Sequence, residues 1–121
     1  MTNYKISRGE IYMADLGVGL GSVQGGIRPV VIVSNSLNNK FSPTVNVLPI
    51  TSQTKNSIPV HVNIGIESGL PKESTVLVEQ ILTVDKRKLT KQLGNCTREI
   101  MGKIAKAIIL QTDLTEYLDV I

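Results

Sequence analysis

The stretch Pro29-Val30-Val31-Ile32-Val33 restricts the fold more than any other part of the chain. An unbroken apolar run, β-branched after the proline, predicts a strand covered on both faces. Proline is tolerated at the start of a strand, where its missing N–H removes no ladder bond. The segment before it, Gly21-Ser22-Val23-Gln24-Gly25-Gly26-Ile27-Arg28, is a glycine-rich loop that ends on one strong cation. Such a loop reads equally well as an anion-binding element at the mouth of a buried strand and as a surface hairpin loop with a solvated arginine.

Other strand signals surround this run. Glu10-Ile11-Tyr12-Met13-Ala14-Asp15 alternates, with Ile11 and Met13 on one face and Tyr12 and Ala14 on the other. Ser34 to Asn39 reads as a turn or short helix. Val45 to Thr51 is a further strand, and Pro49 within it predicts a sheet edge or a bulge. Ile58, Val60, Val62 and Ile64 share one face of the next strand, leaving Pro59, His61 and Asn63 on a polar face directed to solvent. Thr75 to Val78 is short and buried, Glu79-Gln80-Ile81 interrupts it, and Asp85 to Lys88 turns the chain into a last strand, Leu89 to Leu93.

One helix is expected over 97–112, with Thr97 as its N-cap and Glu99 in its first turn. Ile100, Met101, Ile104, Ala105 and Ile108 form its apolar stripe, and Leu114, Tyr117, Leu118 and Ile121 continue an amphipathic pattern beyond it. Met1 to Arg8 is polar and expected to fray, with 1–7 disordered. The 121 residues suit one domain spanning 1–121, large enough to bury a core without disulfides or a structural metal. Short strands followed by a terminal helix give an α+β domain with a curled antiparallel sheet or barrel.

The charge balance, +3 with a pI near 9.1, leans toward an anionic partner without approaching that of a histone. Cys96 is the sole cysteine, which excludes an internal disulfide and a cysteine metal cluster. Asn95-Cys96-Thr97 matches a glycosylation acceptor; no secretory segment is expected, and the match is set aside. No apolar run reaches membrane-spanning length, so no membrane partner and a reducing, cytoplasmic setting are expected. Gly17, Gly19 and Gly21 fit neither G-x-G-x-x-G nor G-x-x-x-x-G-K-[ST], and a strand follows them, which rejects a dinucleotide or P-loop site.

The candidate chemistry is concentrated in a few side chains. Arg28 offers a planar fork of donors matched to phosphate. Thr51 opens the loop Thr51-Ser52-Gln53-Thr54-Lys55, whose hydroxyls, amide and cation suit phosphates or bases. His61, the sole histidine, is a weaker acid–base candidate. Glu79 and Gln80 follow a buried strand, where a polar pair serves either as a cap or as the floor of a binding site. Asp85-Lys86-Arg87-Lys88 is a solvated turn that adds to an anion-attracting field.

Six blocks, Arg8-Gly9-Glu10-Ile11-Tyr12, Gly21 to Val31, Phe41-Ser42-Pro43-Thr44, Ile50-Thr51, Pro59-Val60-His61-Val62 and Val78-Glu79-Gln80-Ile81, occur in order. In these the chain resembles the MazF/PemK family of toxin endoribonucleases from bacterial type II toxin–antitoxin pairs. The resemblance implies a homodimer of small SH3-like barrels of the CcdB/MazF type, each with a C-terminal helix. It implies metal-independent, cofactor-free cleavage of single-stranded RNA, mostly mRNA, at short sequences, leaving 2′,3′-cyclic phosphate and 5′-hydroxyl ends. It also implies a MazE-like antitoxin that covers the RNA groove. The family's catalytic arginine and its threonine or serine fall on Arg28 and Thr51. RNA contacts are implied for Gln24, Gly25, Ser52, Gln53, Lys55, Ser74, Glu79 and Gln80.

Many relatives carry Gly-Ser-Glu-Gln, with the glutamate assigned to proton transfer; Val23 stands there in this chain, so that role does not carry over. Two other readings share the fold: a non-enzymatic toxin that poisons a protein target such as DNA gyrase through its C-terminal residues, and an inert interaction module.

Overall fold

A computed structural model of the chain describes residues 5–53 and 57–118. The chain runs β1 (Glu10–Asp15), β2 (Ile27–Ile32), α1 (Ser36–Phe41), β3 (Thr44–Thr51), β4 (His61–Ile64), β5 (Ser74–Leu77), β6 (Leu82–Asp85), β7 (Leu89–Asn95) and α2 (Arg98–Thr112), with 3-10 turns at Ile66–Ser68, Val78–Gln80, Lys86–Lys88 and Thr115–Tyr117. The strands form one seven-stranded sheet in the order β4-β5-β3-β2-β1-β7, and β6 adds to β3; every pairing is antiparallel. The sheet curls but its ladder stays open between the β4 and β7 edges. This is an α+β fold, a half-open barrel with a C-terminal helix.

Two apolar clusters lie on opposite faces of the sheet, and the register assigns each residue to its side. Ile11 stands opposite Val31, and Val31 opposite Leu48; all belong to the larger cluster, which α2 covers with Ile100, Ile104 and Ala107. One residue along, Tyr12 stands opposite Val30, and with Ile32, Val45, Val47 and Val84 they build the smaller cluster. The β2 run is therefore buried on both faces, as its composition predicts, each side chain contributing roughly 1.5–3 kcal/mol.

The structure corrects several expectations. Ile6 is buried and Ser7 N donates to Glu10 Oε1 at 2.8 Å, so the chain is held well before Gly9; residues 1–4 lie outside the described residues. Pro49 marks no edge, because β3 is the central strand. On one side β3 pairs β6 through Val47 and β5 from Ile50, and Pro49 falls in the interval where the partner changes. Leu82–Asp85, of which only Asp85 is assigned by sequence, to a turn, is a strand, and Val78 belongs to a turn instead of β5. Thr97 Oγ1 caps α2 by accepting from Ile100 N at 3.1 Å, as expected. The helix buries Ala107 in place of Ala105, which faces solvent.

Candidate functional site

Register also builds the site. Thr51 stands opposite Thr75 on β5, and Thr75 opposite Asn63 on β4; one rung on, Leu77 stands opposite His61. Cross-strand partners point to the same side of a sheet. Their alternate neighbours Ile50, Val76 and Val62 fill the larger core, so this polar set forms the opposite face. It floors a cleft of about 480 Å³, with Ser52, Gln53, Ser57, Glu73 and Ser74 completing the walls. Thr51 itself is only 4 % exposed. Its Oγ1 accepts from Gln53 N at 3.2 Å, and its hydroxyl hydrogen has no acceptor among the described residues.

Arg28 belongs to β2, one residue inside the strand, and is not in the preceding loop. The β2–β3 ladder ends at the Val30–Pro49 pair, so Arg28 and Thr51 each lie two residues past that end of it. Arg28 Nε donates to Gly25 O at 2.9 Å, and its amino nitrogens have no partner among the described residues. The guanidinium fork is thus half-buried, anchored at one nitrogen and open at the others.

His61 departs from expectation. Its side chain is 8 % exposed, far from solvated, and Nε2 lies 3.2 Å from Glu79 Oε2. The same carboxylate leaves Oε1 buried without a partner among the described residues. Gln80, in the same 3-10 turn, sends its amide to the glycine loop: Oε1 accepts from Gln24 N at 2.8 Å and Nε2 donates to Ser22 O at 2.9 Å. Of the residues expected to touch RNA, the structure gathers Ser52, Gln53 and Ser74 around Thr51, and places Gln24, Gly25, Glu79 and Gln80 in the adjoining network. Lys55 lies outside the described residues. Asn63, Thr75 and Glu73 were not singled out by sequence; only the pairing of β3, β5 and β4 brings them to Thr51.

Elsewhere the chemistry is quiet. Burial pushes the Cys96 thiol up to about 11, which suits a packing residue better than a nucleophile. The Arg87 side chain closes on Asp85 with contacts of 3.0 and 2.9 Å and holds that carboxyl down at about 2. The described residues contain no group of three or more His, Cys, Asp or Glu placed to hold a metal ion, and no helix among them is long and apolar enough to cross a membrane.

Known proteins share this architecture. The chain is 40% identical over 114 residues to Endoribonuclease EndoA of Bacillus subtilis (strain 168), covering 93% of this chain and 98% of that protein. An endoribonuclease from a Mycobacterial species, solved in complex with its cognate antitoxin, superposes with a TM-score of 0.76 at 31% identity, covering 90% of this chain and 96% of that one. MazF from Deinococcus radiodurans superposes at a TM-score of 0.80, over 92% of this chain and 99% of its own; at 20% identity this likeness speaks for the fold. Residues 7–112 match the signature of the PemK-like, MazF-like toxin of type II toxin–antitoxin systems. With sequence blocks, half-open barrel and polar cleft in agreement, the chain belongs to the PemK-like, MazF-like family of type II toxins.

Proposed function

We propose that this toxin is a metal-independent endoribonuclease that cuts single-stranded RNA in the Thr51 cleft, with Arg28 at its border. The observation that carries the reading is that Arg28 and Thr51 lie just past the same end of the β2–β3 ladder, the first with its amino nitrogens and the second with its hydroxyl hydrogen uncommitted among the described residues. One cation and one neutral donor on adjoining strands suit a phosphodiester. In the reaction the ribose 2′-oxygen loses its proton and bonds to phosphorus, the P–O5′ bond breaks, and the 5′-oxygen takes up a proton. Negative charge grows on the phosphoryl oxygens in between. Arg28 stabilises that charge, and Thr51 holds the phosphate by a hydrogen bond. DNA, lacking the nucleophile, binds without being cut.

The chain's own residues limit the proton-transfer assignments. Val23 has no titratable group, and its side chain is 59 % exposed on the loop. His61 is covered and engaged by Glu79, which makes it part of the cleft wall. Ser52, Gln53, Ser74 and Glu73 supply the polar groups that would read bases.

The setting we propose is cytoplasmic, with an antitoxin as partner and a second copy of the chain completing a homodimer. Leu114, Tyr117 and Leu118 are largely exposed beyond α2 and offer an apolar contact. That same patch favours the second reading, a grip on a protein target. Deleting residues 117–121 separates the two: loss of toxicity with RNA cleavage intact supports the protein target. The primary test is incubation of the protein with a long single-stranded RNA in chelator, beside Arg28→Ala. Discrete fragments from the wild type alone support the enzyme; identical lanes for wild type, variant and buffer overturn it.

A further inference from the structure

The loop that precedes Arg28 is tied to a segment distant in sequence by one side chain, Gln80. It closes on itself through Gly26 N to Gly17 O at 2.6 Å, Val23 N to Leu20 O at 3.0 Å and Leu16 N to Gly26 O at 2.9 Å. Gly19 and Gly25 pack backbone to backbone so closely that a Cβ on either would strike the other strand of the loop. The loop is therefore tied to itself across its width. Its apolar residues do not anchor it, since Val18 is 93 % and Leu20 79 % exposed, and Val23 also faces solvent. Among the described residues, its only hydrogen bonds to a segment other than its own stem are the two made by Gln80.

We propose that Gln80 is a positioning residue: its amide latches the 17–26 loop and thereby fixes the carbonyl of Gly25 on which Arg28 rests. Oε1 accepts from Gln24 N, Nε2 donates to Ser22 O, and the carbonyl of Gly25, the residue after Gln24, accepts from Arg28 Nε. Each end of the amide makes one backbone hydrogen bond, which leaves one N–H and one oxygen lone pair of Gln80 uncommitted. The turn that carries it also carries Glu79, which meets His61 in the cleft wall, so one short segment ties the loop to the cleft. A catalytic cation displaced by an ångström loses much of its effect on the transition state. Gln80 thus acts on rate through Arg28, which makes it different in kind from a base contact.

The inference rests on the endoribonuclease reading, and its test separates the two. Gln80→Met keeps the length and removes both hydrogen bonds; Gln80→Glu keeps the acceptor for Gln24 N and loses the donor to Ser22 O. Backbone hydrogen exchange is measured on the full-length protein, together with cleavage of a mixed single-stranded RNA pool. Expected for Gln80→Met is exchange at Gln24 about 10-fold faster, with kcat lowered about 10- to 100-fold, KM and the set of cut sequences unchanged. Gln80→Glu should fall in between, and Arg28→Ala with Gln80→Met should cut no more slowly than Arg28→Ala alone. Unchanged Gln24 exchange in Gln80→Met overturns the latch, as does a shifted set of cut sequences, which would make Gln80 a base reader. If no RNA is cut even by the wild type, the enzyme reading fails while Gln24 exchange still decides whether the latch exists.

Discussion

In the proposed reaction Arg28 and Thr51 divide the work between charge and position. Nε of Arg28 is used to hold the residue, which leaves its outer nitrogens to meet an anion. Thr51 Oγ1 accepts from Gln53 N, and in the proposed reaction its hydroxyl hydrogen goes to the phosphate. Thr51→Val preserves shape and removes that donor, and should lower kcat about 10-fold or more with little loss of stability, measured on a fixed RNA beside a thermal melt. His61 behaves oppositely. His61→Ala leaves both oxygens of Glu79 without a protein partner, so urea unfolding should show a loss of about 1–3 kcal/mol. An unchanged midpoint would mean that water replaces the ring. Arg28 stood out in the sequence because its glycines and apolar run are its immediate neighbours. The burial of His61 did not, because alternation assigns a side chain to a face and says nothing of what covers that face. Glu79, the residue that meets it, arrives from a different turn.

The elements owe their fit to close backbone approaches. Gly94 on β7 lies against the 3-10 turn after β4, where a Cβ would strike Ser68 O. Gly94→Ala forces the turn and strand apart and should cost about 1–3 kcal/mol in denaturant unfolding. Cys96, at the entrance to α2, is held neutral by its partial burial. Its folded pKa is raised from 9.0 to about 11, so this group's contribution to stability is complete below about pH 9 and fades as pH rises through 11. At pH 8 alkylation of the native thiol should therefore be slow, and unfolding in urea should accelerate it; equal rates would contradict the burial. β1, β2, β3 and α2 were legible because each has an apolar period or run long enough to read locally. β6 was not: Leu82-Thr83-Val84-Asp85 is short, half polar, and becomes a strand only by pairing with the first half of β3. Ala105 was misassigned for a related reason, since small residues fit either side of the stripe and the sheet beneath decides which is buried.

For the whole molecule, one sheet does two jobs. Its face toward α2 is a continuous apolar core, and its other face changes along β3 from the Val45 and Val47 cluster to the polar cleft at Thr51. The barrel class and terminal helix could be read from strand count and order, but the rung from Thr51 through Thr75 to Asn63 could not, because no local pattern sets which strands become neighbours. The open ladder between β4 and β7 likewise depends on pairing over the whole chain. In the proposed reaction a phosphodiester held at Arg28 and Thr51 is cut by its own ribose hydroxyl. Its most direct test uses a short RNA carrying one cut site, compared with the same RNA bearing a single 2′-deoxy substitution at the cut nucleotide, both in chelator. The all-ribose strand should give one 2′,3′-cyclic phosphate and one 5′-hydroxyl end, and the deoxy strand should stay whole. Cutting of the deoxy strand, or 5′-phosphate ends from either, would contradict the proposed reaction.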